Sequence, residues 1–131
     1  MCIRDSPSGK LMGYIMGKAE GEGTLWHGHV TAVTVAPEFR RRGLGRKLMH
    51  SLERTSESVF DAYFVDLFVR VSNSLAISMY TRFGYSVYRR VIGYYACTED
   101  AFDMRKALPR DREKRSIVPL EHPIYPDDLE W

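Results

Sequence analysis

The most constraining feature of the chain is its order of elements: a strand, a basic glycine-containing turn, a helix and a second strand. Segment 27–35 is rich in β-branched residues and favours a strand, which Pro37 ends. A helix is predicted to begin near Gly43, because leucine and methionine recur at helical spacing over 44–52. Segment 64–71 is almost wholly apolar, as in a strand buried on both faces. The long crossover between the two strands predicts that they pair in parallel.

Further elements are predicted on both sides of this unit. The expected strands span 11–19, 86–91 and 101–107, and a second amphipathic helix spans 74–83. Tyr94 and Tyr95 are placed in the link between the last two strands. Segment 109–131 contains charged residues and several prolines without periodicity, and is interpreted as an extended tail or docking segment.

Composition restricts the classes of function. The chain has 131 residues, 44% of them apolar, which is enough for one buried core. Its 19 basic and 17 acidic residues leave a net charge of +2, which argues against a general nucleic-acid binder. There is no run of roughly 18 apolar residues, so no membrane span is expected, and the start lacks the apolar core of a secretory signal. Cys2 and Cys97 are interpreted as reduced thiols. We therefore expect a soluble cytoplasmic protein.

The basic turn is suited to binding phosphate. Segment 35–45 is VAPEFRRRGLG, and a helix that begins there presents unpaired N–H groups and a partial positive charge to an anion. Gly43 and Gly45 allow the backbone to approach the phosphates closely. The surrounding positive charges are Arg40, Arg41, Arg42, Arg46 and Lys47. A solvated basic loop or a nuclear-targeting run is the alternative interpretation of the arginines.

A second motif follows the second strand of this unit. It consists of Asn73, Ala76, Tyr80 and the pair Gly84-Tyr85 at the spacing Asn-x-x-Ala-x-x-x-Tyr-x-x-x-Gly-Tyr. Asn73 is suited to cap the second helix. Tyr80 lies two turns along that helix, where a core aromatic is the simpler interpretation.

The two motifs, in this order, resemble the cofactor-binding core of the GNAT acetyltransferases, which use acetyl-CoA. The resemblance implies an α/β GNAT (acyl-CoA N-acyltransferase) fold, with a mixed sheet flanked by helices. It further implies that Asn73 contacts the cofactor or an active-site water, and that the Tyr80 hydroxyl protonates the leaving thiolate. The Val33 N–H is expected to stabilise the oxyanion, where the strands splay apart. The implied cofactor-binding residues are Val33, Val35, Arg40, Arg41, Arg42, Gly43, Leu44, Gly45, Arg46, Asn73 and Tyr80.

GNAT domains carry further elements before the strand that we place at Leu11. We therefore interpret residues 1–9 as a leader that does not match the family, 10–108 as an N-terminally incomplete GNAT domain and 109–131 as the tail. Such a chain is expected to bind acetyl-CoA but to hold a peptide poorly.

A closer resemblance concerns the acceptor. Segments 26–31, 43–49, 65–70, 94–95 and 103–108 are similar to the catalytic subunits of N-terminal acetyltransferase B (NatB) complexes, and DMRKAL at 103–108 is the most telling. These enzymes acetylate the α-amino group of Met followed by Asp, Glu, Asn or Gln. The resemblance implies nascent protein N-termini as substrates and an auxiliary NatB subunit as partner at the ribosome.

Candidate peptide-binding residues follow from the strand and the tyrosine pair. Strand alternation predicts that His29, Thr31, Val33 and Val35 share one face. His29 and Thr31 would then contact the second substrate side chain, while Tyr94 and Tyr95 close over the peptide backbone. His29 is also a candidate base, although an α-amine with a pKa of about 8 needs no strong base.

Other interpretations stay open at this point. Packing of Tyr94-Tyr95 within the hairpin is one. His27 and His29 share a strand face, but no third ligand was found nearby in sequence, so no metal is expected. The acceptor could instead be a lysine or a small amine, and a non-catalytic truncated subunit is an interpretation from another class.

Overall fold

In the part of the chain that the structure describes, six strands form one mixed sheet that packs with two α-helices. The computed structural model describes residues 2–3, 13–35, 44–95 and 99–129. The elements are β1 (Cys2–Ile3), β2 (Gly13–Glu20), β3 (His27–Val35), α1 (Leu44–Ser58), β4 (Phe64–Arg70), α2 (Ser74–Arg82), β5 (Ser86–Tyr95) and β6 (Glu99–Ala107). The strand order is β1-β2-β3-β4-β6-β5. Within the described residues, no helix is long and apolar enough to cross a membrane.

The predicted parallel pair is present at the centre of the sheet. Strands β3 and β4 pair in parallel from His27↔Phe64 to Val30↔Leu67, and α1 makes the crossover between them. The β3–β4 pairing ends there, although β3 continues to Val35 and β4 to Arg70. Beyond Val30 and Leu67 the two strands are therefore not paired with each other, and the interval between their carboxyl-terminal halves is called the cleft below.

A bulge in β3 interrupts the predicted alternation. Met16 of β2 pairs with Ala32 and Gly17 pairs with Val30, so Thr31 is an extra residue on β3. An extra residue breaks the period of two along a strand. The prediction that His29, Thr31, Val33 and Val35 share one face is therefore wrong, because the alternation does not continue unbroken from His29 to Val35.

Both helices pack on the same face of the sheet and enclose the apolar core. The fully buried residues from α1 are Leu48 and Met49, and those from the strands include Ile15, Val65 and Met104. Ala76, Ile77, Tyr80 and Phe83 of the α2 region pack against this core. Gly28 allows α1 to approach β3, since a Cβ there would lie 2.2 Å from Ser56 Oγ.

The hairpin differs from the prediction in its length. Tyr94 and Tyr95 lie in β5 itself and not in the link that was predicted for them, and Tyr95 pairs with Glu99. An irregularity between Val91 and Tyr95, with Gly93 at φ 63°, lets the strand continue beyond its predicted end.

The C-terminal segment lies along β5. Leu120 N–H donates to the Tyr88 carbonyl at 2.7 Å, and Ile124 N–H donates to the Arg90 carbonyl at 2.9 Å. The Ile92 N–H donates to the Ile124 carbonyl at 2.7 Å, and Ile124 is buried. This part of the predicted tail therefore covers the edge of the sheet, while the proposed division of the chain at residues 9 and 108 stays a prediction.

Candidate functional site

The centre of the candidate site is a hydrogen bond between His29 and Asp66. The two residues are direct neighbours in the parallel β3–β4 pair, one position before the last pair of the two strands. His29 Nδ1 lies 2.7 Å from Asp66 Oδ1, and the side chains are 11% and 0% exposed. An ionised carboxylate only accepts hydrogen bonds, so Nδ1 carries the hydrogen and Nε2 is the nitrogen left for a ligand.

The same contact sets the charge of both groups. Burial lowers the pKa of His29, but the hydrogen bond to Asp66 and its negative charge outweigh burial, and the net pKa is raised. Burial acts to raise the pKa of Asp66, but the hydrogen bonds from His27 and His29 hold it well below its usual range. The arrangement therefore favours a cationic His29 beside an ionised carboxylate.

His27 supports Asp66 from the other side. Its Nδ1 lies 2.6 Å from the Leu25 carbonyl oxygen, and its Nε2 lies 3.3 Å from Asp66 Oδ1. The ring stacks on Phe64 with centroids 4.6 Å apart and planes inclined by 3°. The His27 ring is thus held on three sides.

The structure supplies the third potential metal ligand that the sequence analysis did not find. Pairing of β2 with β3 places Glu20 opposite His27, and its Oε1 lies 3.7 Å from His27 Nε2. Ligand atoms of Glu20, His27 and His29 all lie within 4.8 Å of one another. The absence of a metal therefore stays a prediction.

A second buried carboxylate extends this network along β6. Asp103 Oδ2 accepts hydrogen bonds from Arg89 Nε at 3.0 Å and from Arg105 Nη2 at 3.4 Å. Burial and the negative charge of Asp66 raise the pKa of Asp103 to about 7, although Arg105 and Arg89 act in the opposite direction. No role was predicted from the sequence for Asp66, Asp103, Arg89 or Arg105. The available signal for Asp66 was a carboxylate between apolar neighbours in β4, and the many charges of β5 and β6 gave no comparable signal for the other three residues.

The tyrosine pair adjoins His29 through Phe68. The His29 and Phe68 ring centroids are 5.4 Å apart, and Phe68 stacks on Tyr94 at 4.6 Å. Tyr94 and Tyr95 are perpendicular at 5.1 Å, and the Arg70 guanidinium lies 4.2 Å over the Tyr95 ring. The structure therefore brings His29 and Tyr94 to one aromatic cluster. Thr31 is exposed at the bulge.

Tyr80 lies on α2 and Asn73 caps the start of that helix, as predicted. Asn73 Oδ1 accepts a hydrogen bond from the Ala76 N–H at 3.1 Å, which confirms the helix cap. Tyr80 packs edge-on against Phe83 at 6.3 Å and Tyr85 at 6.2 Å. Burial, followed by the neighbouring Tyr95, raises the pKa of Tyr80, so its hydroxyl stays protonated and available as a donor. Its role at the cofactor stays a prediction.

The predicted phosphate turn is described only in part. Arg40, Arg41, Arg42 and Gly43 lie outside the described residues, and α1 begins at Leu44. Arg46 Nη2 donates to the Arg82 carbonyl at 3.2 Å, and its guanidinium lies 5.4 Å from the Phe83 ring centroid. A Cβ at Gly45 would be 4.0 Å from Phe83 Cζ, which is ordinary contact. Val33 and Val35 lie on the part of β3 beyond the last pair with β4.

Comparison with known proteins agrees with this geometry. A sequence model of the acetyltransferase (GNAT) family matches residues 2–85. The chain is 68% identical over 130 residues to N-alpha-acetyltransferase 20 of Dictyostelium discoideum, which covers 99% of this chain and 75% of that protein.

Two solved structures show the same fold. Naa20 of Chaetomium thermophilum in complex with a bisubstrate analogue has a TM-score of 0.84 at 43% identity, covering 93% of this chain and 74% of that one. The NatB acetyltransferase complex bound to CoA and MES includes a chain with a TM-score of 0.75 at 48% identity, with coverage of 82% and 72%. These likenesses confirm the predicted fold class.

Proposed function

Since the chain belongs to the acetyltransferase (GNAT) family, we propose that it transfers acetyl from acetyl-CoA to protein N-terminal α-amino groups. The preferred substrates are chains that begin with Met-Asp, Met-Glu, Met-Asn or Met-Gln. The observation that carries the proposal is the His29–Asp66 pair, which lies beside an aromatic cluster at the point where the pairing of β3 and β4 ends. The similarity to N-alpha-acetyltransferase 20 and to a chain of the NatB complex supports the choice of acceptor.

The cleft between β3 and β4 suits the extended arm of acetyl-CoA. Within the described strands, β4 does not pair with the part of β3 that contains Val33 and Val35, so backbone groups there can bind amides as a neighbouring strand would. We assign the pyrophosphate to the turn of Arg40, Arg41, Arg42, Gly43, Leu44, Gly45 and Arg46. The solved NatB acetyltransferase complex that contains a similar chain is bound to CoA, which supports this co-substrate.

Each step of acetyl transfer is assigned to a group of this chain. The backbone N–H of Val33 donates to the carbonyl oxygen as negative charge develops on it during attack by the amine. Tyr80, which burial keeps protonated, donates its proton to the departing sulfur, and the proton that the acylated amine releases restores the Tyr80 hydroxyl. Asn73 positions the start of α2, and its side chain contacts the cofactor or a water in the site.

The second residue of the substrate is read by His29. A cationic His29 donates from Nε2 to the carboxylate of Asp or Glu, and a neutral ring accepts at the same atom from the amide of Asn or Gln. Thr31 is assigned a hydroxyl contact to the same side chain. Tyr94 and Tyr95 cover the peptide backbone from the hairpin.

His29 is assigned to substrate recognition in preference to proton transfer. An α-amine has a pKa of about 8 and is partly neutral near pH 7, so a strong base is unnecessary. The raised pKa of His29 favours the donor over the acceptor, which agrees with binding a carboxylate.

We assign the chain to a complex with an auxiliary NatB subunit, acting on nascent chains at the ribosome in the cytoplasm. The support is the similarity to a chain of the NatB acetyltransferase complex. Co-expression with an auxiliary subunit is therefore part of the activity assay.

The test is a competition among four peptides in one reaction, read by mass spectrometry. The peptides begin with Met-Asp, Met-Glu, Met-Leu and Ser-Glu and are otherwise identical. Met-Asp and Met-Glu are expected to be acetylated far faster, because leucine leaves buried polar groups unpaired at about 1–3 kcal/mol each. Equal use of Met-Leu and Met-Asp would contradict the NatB assignment. Acetylation of an internal lysine in preference to all four N-termini would favour the lysine acetyltransferase instead.

A further inference from the structure

Asp66 is a charged residue inside the apolar strand β4, and its side chain is fully buried. A carboxylate is costly to remove from water unless other groups pair with it. The pairing groups are the imidazoles of His29 and His27, at 2.7 Å and 3.3 Å from the same oxygen, Oδ1. Because an apolar residue would fill a strand position at lower cost, the carboxylate points to a role beyond packing.

Resting on the proposed function, we propose that Asp66 is a positioning residue for peptide recognition, which holds His29 Nδ1 inward so that Nε2 meets the second side chain of the substrate. The residue acts through His29 and does not itself touch the peptide. The proposal assigns a recognition role to a residue of β4, one strand away from the side chain that is proposed to contact the ligand.

The register of the sheet places this anchor where it can act. His29↔Asp66 is the pair immediately before Val30↔Leu67, after which β3 and β4 no longer pair with each other. The hydrogen bond therefore secures the imidazole at the base of the cleft. A rigid strand pair defines a side-chain position more precisely than a loop does.

Two further contacts restrict movement of the pair. His27 is held by the Leu25 carbonyl at 2.6 Å and by stacking on Phe64, so it supports Asp66 from behind. On the other side, Phe68 lies 5.4 Å from the His29 ring and is itself stacked on Tyr94. The ring of His29 is thus confined between a fixed carboxylate and the aromatic cluster.

The chemical consequence is control of the tautomer. With the Nδ1 hydrogen committed to a carboxylate, a neutral His29 must present its lone pair at Nε2. An asparagine at position 66 can instead donate its amide N–H to Nδ1, which stabilises the opposite tautomer. The change would exchange donor and acceptor at Nε2 of the neutral ring. It would also remove the negative charge that favours the cationic ring, the form that donates from both nitrogens, and so weaken the charge-assisted bond to a substrate carboxylate.

The first measurement uses the unmodified chain. Histidine-selective ¹⁵N labelling, with the His29 signals assigned by comparison with His29→Gln, reports the tautomer at a pH above the imidazole titration. The expected result is a proton on Nδ1. A wild-type His29 with its proton on Nε2 would overturn the proposal without any variant at position 66.

The second measurement is peptide selectivity of the complex with its auxiliary subunit. Asp66→Asn is expected to lower the ratio of kcat/KM for Met-Asp over Met-Leu by about tenfold to a hundredfold, the range seen when a metal-bound histidine loses the partner of its second nitrogen. The matched control is Glu53→Gln, which also converts a buried carboxylate to an amide but lies among contacts to Tyr85 and Lys106. The control is expected to change the ratio by less than about twofold.

The outcomes separate the two proposals. A wild-type ratio near one would overturn the proposed function, and the recognition role of Asp66 with it. A strong wild-type preference that survives in a folded Asp66→Asn overturns the positioning role alone. An equal loss of selectivity in Glu53→Gln would also overturn it, because any buried charge would then have the same effect.

Discussion

The two faces of the central sheet are built on opposite principles. The face under α1 and α2 is closed mainly by apolar side chains such as Leu48, Val65 and Met104, and the buried carboxylate of Glu53 there is paired with Tyr85 and Lys106. The other face buries ions, with Asp66 and Asp103 enclosed by imidazole and guanidinium groups. Alternate residues of β4 supply both, because successive side chains of a strand point to opposite faces.

The two faces of the sheet contribute to different properties of the protein, one to stability and the other to recognition. Apolar burial is non-directional and stabilises the fold roughly in proportion to area. A buried ion cluster adds little net stability, because desolvation offsets attraction, but its hydrogen bonds have defined directions. The helix face therefore maintains the fold, and the ionic face orients the groups that meet a substrate.

The largest expected effect is a loss of turnover in a Tyr80 variant. Tyr80 packs on the helix face, but its hydroxyl is assigned a role in the chemical step. Tyr80→Phe keeps the ring contacts with Phe83 and Tyr85 and deletes the hydroxyl. Turnover of a Met-Asp peptide is expected to fall by roughly 10²–10⁴, while the free energy of unfolding changes by less than about 1 kcal/mol. Steady-state kinetics and urea unfolding measure the two quantities. Wild-type turnover would leave Tyr80 as a core aromatic alone.

Leu48→Ala is the converse change, which affects the helix face only. Leu48 is 1% exposed within the core, and its truncation is expected to lower the free energy of unfolding by about 2–5 kcal/mol. Peptide selectivity at a temperature where the variant is folded should not change, because His29 and Asp66 lie on the other face. Urea unfolding and peptide competition test this. A loss of selectivity in the folded variant would show that the two faces are coupled.

The ionic face is expected to show a distinctive pH dependence through Asp103. The pKa of Asp103 is raised to about 7 in the folded chain, whereas an aspartic acid in the unfolded chain has a pKa of about 4. The stability that comes from its protonation is therefore fully present below about pH 4 and is lost as the pH rises to about 7. The Asp103→Asn variant has no titrating group at this position. Its free energy of unfolding relative to wild type should therefore increase as the pH rises from about 4 to about 7, by on the order of 1 kcal/mol or more. If the free energies of unfolding of the two proteins change in parallel with pH, the raised pKa of Asp103 is contradicted.

The last comparison concerns two glycines that differ in their surroundings. Gly28→Ala places a Cβ 2.2 Å from Ser56 Oγ and should destabilise the β3–α1 contact by about 1–3 kcal/mol. Gly45→Ala meets only Phe83 Cζ at 4.0 Å and should stabilise α1 by up to about 1 kcal/mol. Thermal unfolding of the two variants provides the comparison. Similar destabilisation by both would contradict the close approach at Gly28.

Local pattern was sufficient for the elements that carry the fold. The bounds predicted for β3 are those observed, His27–Val35, and the predicted helix near Gly43 begins at Leu44. The Asn73 cap of α2 is also present. These features depend on residue type, spacing and short-range hydrogen bonds, which a single sequence displays directly.

The sequence by itself determined that the chain is a one-core α/β domain with a parallel β3–β4 pair, and it singled out His29 and Tyr80 as candidate site residues. Only the tertiary structure decided that Asp66 holds His29, that Thr31 is an extra residue in β3 and that Tyr94 lies in a strand. These three facts depend on register between strands that are distant in sequence. Register is set by the packing of the whole sheet, and a shift of one residue moves every side chain to the other face.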